Sequence, residues 1–227
     1  MTPVEEVAAA LLAGIDHHVV VVTGSEPLAA SAVAALPEPV LVLAADGGLD
    51  HALAAGLRPA GLVGDLDSVT PAGLAWATAH ATISRHDPAK DATDTELALD
   101  MAVELNPARL TLLAGGGDRL DHTLAALGAL ARPVLTSVPI LEAWWGPQRM
   151  RVLHGPGRAT FSDLPAGSTL SLVAIAGPSE GVSSTGVRWP LADFRLDPLS
   201  GRGVSNEVTE PEVTISLTSG VLLVFHA

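Results

Sequence analysis

The chain has 227 residues, 48% of them apolar, a formal net charge of −13 and no cysteine, so it can bury one large core or two small ones, while disulfides, thiolate metal sites and cysteine nucleophiles are excluded. The acidity makes nucleic acid and anionic membranes poor partners, because phosphate needs a basic face. No apolar run approaches the ~18–20 residues of a membrane span, and Glu5 and Glu6 stand near the start with no Lys or Arg beside them, so no secretory leader is expected and a cytoplasmic protein fits best.

The first part alternates strand and helix signals. Val4–Ala13 reads as a short helix. His18–Thr23 is a β-branched run of the kind buried on both faces. Pro27–Leu36 is Ala-rich helix, Val40–Ala45 a second strand, Gly48–Ala55 a helix and Gly61–Gly64 a short third strand. Thr70 followed by Pro71 marks the start of a helix reaching Ala79. Thr93–Leu105 reads as a helix with Leu97, Met101 and Leu105 on one side, Arg109–Ala114 as a strand, and Asp118–Ala131 as a helix with Leu120, Leu124, Leu127 and Leu130 aligned. The alternation predicts a mostly parallel sheet covered by helices.

After about Pro139 helical periodicity fades. Thr169–Ala174, Glu212–Leu217 and Val221–Phe225 alternate or are β-branched, with Gly, Pro and Ser clusters between them, which predicts an antiparallel all-β region. The fold class expected is therefore an α/β domain over residues 1–145 followed by a sandwich-like all-β domain over residues 146–227.

Four acidic motifs fall where strands end or helices begin, the edge at which open α/β sheets bind ligands. Asp46-Gly47-Gly48 follows the second strand, and its glycines allow a close approach of backbone to ligand, although Asp before two glycines also makes a plain turn. Asp65-Leu66-Asp67-Ser68 spaces two carboxylates so that an extended chain shows both on one face. Like charges so close call for a cation, and Mg²⁺ takes carboxylate and phosphate oxygens. The alternative is a solvated loop with Ser68 capping the next helix. Lys90-Asp91-Ala92-Thr93-Asp94-Thr95-Glu96 contains the only lysine of the chain. It reads as a helix cap through Asp91 with Asp94 or Thr93 with Glu96, and also as a place where Asp94 holds a metal and Lys90 meets a phosphate. Gly115-Gly116-Gly117-Asp118-Arg119-Leu120-Asp121-His122 runs from a strand through three glycines into a helix, an anion cradle to which Arg119 adds a bidentate phosphate contact.

A single lysine followed by Asp91 rules out the P-loop pattern. Gly177-Pro178-Ser179-Glu180-Gly181 matches a nucleophile elbow, but no helix signal follows it. His17-His18 opens a strand and reads as structural. Together the four motifs form an acidic rim punctuated by Lys90 and Arg119, which suits phosphoryl or pyrophosphoryl transfer, a chemistry of positioning and charge neutralisation.

In order along the chain, these motifs (ADGG, GDLDS, KDATDTE and GGGDRLDH) resemble those of the thiamine pyrophosphokinase family. Two later segments, Thr185–Leu191 and Gly203–Glu207, resemble its thiamine-side segments. The resemblance implies a catalytic ATP- and Mg²⁺-binding α/β domain, a β domain for thiamine binding and dimerisation, and a homodimer with thiamine in a cleft between subunits. It implies a transferase that moves pyrophosphate from Mg·ATP to the hydroxyl of thiamine, releasing AMP. Carried over residue by residue, Asp65, Asp67 and Asp94 would hold Mg²⁺ and, with Asp121, carry the chemistry. Asp46, Gly47, Gly48, Lys90, Asp91, Thr93, Arg119 and His122 would line the nucleotide site, and Trp189, Ser205 and Asn206 would meet thiamine. Trp189 is notable in a chain with only 3% aromatics, because an indole face stacks on a heterocyclic cation; core or dimer packing is the competing reading. Two other functions remain at this point: pyrophosphoryl transfer to a hydroxymethyl-pterin, and a non-catalytic nucleotide sensor, which would not need Asp65, Asp67 and Asp94 together.

Overall fold

The computed structural model describes residues 18–24, 26–38, 40–117, 119–162 and 164–226. The helix expected at Val4–Ala13, His17 and Asp118 lie outside them. The chain forms two compact units, Met1–Ala129 with Val134–Pro147, and Leu130–Pro133 with Gln148–Ala227.

The first unit is built on strands β1 (His18–Thr23), β2 (Leu41–Ala45), β3 (Gly61–Gly64), β4 (Thr82–Arg85), β5 (Arg109–Ala114) and β6 (Ile140–Trp145). They lie in the order β4-β3-β2-β1-β5-β6, and every pairing among them is parallel. Val19–Val22 are fully buried, as a central strand covered on both faces requires. The helices are α1 (Ala30–Ala34), α2 (Gly48–Ala54), α3 (Pro71–His80), α4 (Asp94–Glu104) and α5 (Leu120–Ala129). Val42 and Ala44 share clusters with Ala52 and Leu49 of α2, whereas Leu43 shares the environment of Gly61 with Met101 of α4. Alternate residues of β2 thus meet helices on opposite faces. The chain runs outward from β1 to β4 and then returns to the other side of β1 as β5. That reversal opens a crevice beyond the carboxyl ends of β1 and β5, the usual ligand position in such sheets.

Four elements differ from expectation for physical reasons. The strand β6 begins just after Pro139, where antiparallel pairing is expected, yet it pairs parallel with β5 and extends the first sheet. The strand β4 carries no sequence signal because it is a half-exposed edge, Thr-Ile-Ser-Arg, with no buried run. Helix α4 buries Thr95, Ala98, Leu99 and Ala102 rather than the Leu97–Met101–Leu105 stripe, since small residues let the helix lie close on the sheet. On α5, Leu120 and Leu124 are exposed, and the buried residues are Ala126 and Ala129.

The second unit contains β7 (Gln148–His154), β8 (Gly157–Ser162), β9 (Thr169–Thr185), β10 (Phe194–Leu196), β11 (Asn206–Glu207), β12 (Glu212–Leu217) and β13 (Ser219–His226). Among the described residues its strands pair antiparallel, in the order β7-β13-β9-β12-β8, with β10 and β11 also on β9. The long β9 pairs with β13 through Ser171–Ile175 and with β12 through Ser183–Thr185. Between these stretches the backbone turns at Ala176 (φ 56°) and Gly177 (φ 136°). One strand therefore serves two layers, which enclose Leu172, Val182, Val213, Ile215, Leu222 and Val224. The elbow-like Gly177–Gly181 is this crossing point. Ser179 is fully buried and its Oγ donates to the Val221 carbonyl at 3.0 Å, so it is no nucleophile.

Candidate active site

Parallel register brings the acidic motifs together. Ala45 pairs with Val63, and the next amide, Asp46 N–H, donates to the Val63 carbonyl at 2.8 Å. Asp46 adopts φ 45°, a left-handed conformation that Asp tolerates better than most residues. The neighbouring Gly64 (φ 144°) leaves the space that the site uses: a Cβ there would lie 2.9 Å from Asp94 Oδ1 and 3.2 Å from Asp46 Cβ. Asp94 is the first residue of α4. Its helix start is fixed by a reciprocal capping box, with Thr93 Oγ1 accepting from Glu96 N and the Glu96 carboxylate accepting from Thr93 N. Thr23 at the end of β1 and Thr95 of α4 join hydroxyls at 2.8 Å, holding the helix start over the sheet edge.

The result is a trio in which one carboxylate oxygen each from Asp46, Asp65 and Asp94 lies within 4.8 Å of the others. The expected set of Asp65, Asp67 and Asp94 therefore differs by one member in this geometry. Leu66 is buried with φ 70°, so the chain turns instead of running extended. The Asp67 amide then donates to Asp65 Oδ1 at 3.3 Å, and the exposed Asp67 lines the same cleft from beside the trio.

Lys90 enters this trio. Its ammonium donates to Asp65 Oδ2 at 3.0 Å and lies 3.0 Å from Asp94 Oδ1. The lysine bond and the Asp67 amide hold the Asp65 carboxyl below its ordinary range. Partial desolvation opposes the Lys90 charge, but the Asp94 and Asp65 carboxylates outweigh it, and the lysine is raised. Asp46 Oδ1 is buried without a hydrogen-bond partner, and the buried Asp94 Oδ1 is met by the Lys90 ammonium alone. Buried acceptors left in this way are costly unless a cation meets them.

These residues floor a cleft of about 600 Å³ walled by Thr93, Arg119, His122, Thr123 and Trp145. Gly116 (φ 103°) and Gly117 (φ 140°) carry the chain from β5 toward α5 in conformations open to glycine. Arg119 holds Asp121 through two bonds, at 3.0 and 2.6 Å. This pairing keeps the Asp121 carboxyl well below its usual range. Asp121 and Asp91 are exposed and stand outside the cleft lining. Gly48 is buried, and a Cβ there would lie 2.3 Å from the Val22 carbonyl, so its smallness serves helix–strand packing. Gly47 donates its amide to Ser68 Oγ at 3.1 Å. Ser68 does not cap the next helix; Thr70 does, accepting from Gly73 N. The Ser68 hydroxyl instead donates to Asp46 Oδ2, a link that spacing along the chain does not reveal.

In the second unit, the Trp189 side chain is largely exposed, which removes core packing within this chain as its explanation. The Arg188 guanidinium stands 5.1 Å from the centre of its ring and pairs with Glu207 at 2.9 Å. Asn206 is buried. Its Oδ1 accepts from Trp189 N and Glu207 N, and its Nδ2 donates to the Trp189 carbonyl at 2.8 Å. Asn206 thus clamps the backbone that presents Trp189. Ser205 is exposed at φ 60°, and its amide is held by Ser171 Oγ.

Family models match both units. Residues 35–141 match the catalytic domain of thiamin pyrophosphokinase, and residues 159–222 match its vitamin B1 binding domain. The chain belongs to the thiamine pyrophosphokinase family. It is 26% identical over 191 residues to the thiamine pyrophosphokinase of Bacillus subtilis, spanning 84% of this chain and 88% of that one. The crystal structure of the B. subtilis enzyme superposes with a TM-score of 0.77 at 25% identity, over 92% and 98% of the two chains. The enzyme from Geobacillus thermodenitrificans gives 0.75 at 27%, over 92% and 97%. The enzyme from Candida albicans shares the fold, with a TM-score of 0.75 at 12% identity over 93% and 89%. The α/β unit followed by a β-rich unit is the family's architecture. No described helix is long and apolar enough to cross a membrane.

Proposed function

We infer that this protein is a thiamine diphosphokinase, transferring the pyrophosphoryl group of Mg·ATP to the hydroxyl of thiamine to give thiamine diphosphate and AMP. The observation that carries the reading is the convergence of Asp46, Asp65 and Asp94 on one point, with Lys90 and Arg119 in the same cleft. Both matched models belong to thiamine-specific enzymes, which disfavours the hydroxymethyl-pterin reading, and a sensor has no need of three converging carboxylates.

An all-oxygen donor set in which Asp46 Oδ1 is buried without a partner and Asp94 Oδ1 is met only by the Lys90 cation fits Mg²⁺. Asp46, Asp65 and Asp94 would hold it, with Asp67 within the same cleft as a further or water-bridged ligand. When bound, the metal neutralises phosphate charge. The chain's own residues supply the rest. Arg119 meets phosphate oxygens, Lys90 adds a cation, and the capping box keeps Asp94 in place. The thiamine hydroxyl oxygen forms a bond to the β-phosphorus as the α–β bridging bond breaks and AMP departs. Its proton passes to a carboxylate within hydrogen-bond reach. Asp121, held by Arg119 and outside the cleft lining, serves that role poorly.

The β unit would recognise thiamine through Trp189, presented by Asn206, with Ser205 beside it. Exposed Trp189, Leu199 and Val204 support a homodimer formed through this unit, to be measured by light scattering. The decisive assay is incubation with Mg·ATP and thiamine. AMP and thiamine diphosphate should appear in equal amounts and vanish on chelation. ADP as the product, or turnover of a hydroxymethyl-pterin in place of thiamine, refutes the reading.

A further inference from the structure

The Lys90 ammonium occupies the place where positive charge is most wanted. It is bonded to Asp65 and paired with Asp94, each at 3.0 Å, and both carboxylates belong to the trio that converges with Asp46. Its side chain is only 15% exposed, so it is held there and does not trail in solvent. We propose that Lys90 is an exchangeable internal counter-ion. It fills the cation position of the trio in the free enzyme and must leave when a divalent cation arrives with nucleotide. The inference rests on the trio being the metal site.

The physical case is one of competition for the same oxygens. Carboxylates this close repel one another unless a cation is shared between them, so the trio needs the ammonium as long as nothing else neutralises it. A divalent cation needs lone pairs of Asp65 and Asp94 that the ammonium now engages, and two cations at one point repel. Lysine suits exchange because a compact charge sits on a flexible four-carbon stem. Arg119 and His122 line the same cleft, so a phosphate chain bound there lies in a region the stem can sweep. Metal alone must displace the ammonium into water. Metal arriving with nucleotide displaces it onto phosphate. The site therefore disfavours bare metal and favours the metal–nucleotide pair, a positive coupling that is equal in both directions.

The test uses Mn²⁺ as probe, with binding followed by electron paramagnetic resonance in the absence and presence of an ATP analogue that cannot be cleaved between the α- and β-phosphorus. Release of Asp65 and Asp94 from the ammonium should be read as a change of about tenfold in affinity, the equivalent of ~1.4 kcal/mol. K90M should therefore bind Mn²⁺ alone about tenfold more tightly than wild type, and the gain in Mn²⁺ affinity on adding the analogue should shrink. K90R should follow the wild type. K90Q takes the place of K90M if the latter melts early. Equal or weaker binding of Mn²⁺ alone by the folded neutral variant overturns the exchange. If D94N abolishes Mn²⁺ binding yet K90M gains nothing, the metal site stands and the exchange falls. If no variant, K90M included, binds Mn²⁺, both fall.

Discussion

The Ser68 hydroxyl donates to Asp46 Oδ2 while its oxygen accepts the Gly47 amide at 3.1 Å. Oδ1 of the same aspartate is the buried oxygen without a partner. One serine thus fixes the carboxylate at one oxygen and leaves the other, buried one unengaged. Groups that orient a metal ligand typically change metal affinity or activity by roughly 10–100-fold. Ser68→Ala should therefore raise the Mg²⁺ concentration needed for half-maximal turnover by about tenfold, with the melting temperature nearly unchanged. Ser68→Thr should recover part of the loss. An unchanged Mg²⁺ requirement would show that Asp46 needs no help to find its position.

Gly64 makes the convergence possible twice over. Its φ of 144° strains any side-chain-bearing residue, and an added Cβ would press on both Asp94 and Asp46. Gly64→Ala should cost about 1–3 kcal/mol of stability through the backbone and should also separate the two carboxylates. Expected results are a lower denaturation midpoint and a loss of Mn²⁺ binding at temperatures where the fold persists. Retained metal binding in the folded variant would count against the trio.

His18 carries a pH dependence whose sign is defined. It is buried in β1, with Nε2 2.8 Å from Thr111 Oγ1. Burial first, then the nearby Arg109, push it from 6.5 to about 4. Between those values the unfolded chain binds a proton that the folded chain refuses, so stability falls as pH drops from 6.5 toward 4 and is unaffected by this group above 6.5. The effect amounts to at most roughly 3 kcal/mol. Urea unfolding at pH 7 and pH 4.5 should show it. His18→Gln, which retains a partner for Thr111, should flatten that window. A window unchanged in the variant would assign the acid sensitivity to other groups.

Much of the fold is legible in residues taken alone. The run Val19–Val22 can only be a strand covered on both faces, and Thr70-Pro71 can only begin a helix efficiently. The edge strand Thr82–Arg85 is not legible, because a half-exposed strand needs no apolar run. The site divides in the same way. Each acidic motif stands out by composition, whereas the membership of Asp46 in the trio depends on the β2–β3 register and on positive φ at Asp46 and Leu66. Spacing along the chain encodes neither. The link from Ser68 to Asp46 spans 22 positions and exists only once the two strands are paired.

The last prediction concerns Trp189. The residue is 57% exposed, while its backbone is gripped on both sides by the Asn206 amide. A tryptophan contributing nothing to the core, yet anchored by a buried side chain, is suited to present its face to a ligand. The Arg188 guanidinium, 5.1 Å from the ring centre, shows that a cation can be accommodated there. Stacking of a desolvated thiazolium should contribute on the order of 2 kcal/mol, or roughly thirtyfold in affinity. Trp189→Ala should weaken thiamine binding by about that factor and leave both the melting temperature and nucleotide affinity close to wild type. Asn206→Ala should give a similar loss by a different route, since it frees the backbone and keeps the ring. Trp189→Phe, which retains a smaller aromatic face, should fall between. Calorimetric titration of thiamine into the three variants separates the cases. A loss confined to Trp189→Ala makes the ring sufficient by itself, and equal loss of nucleotide affinity would remove thiamine recognition from this segment.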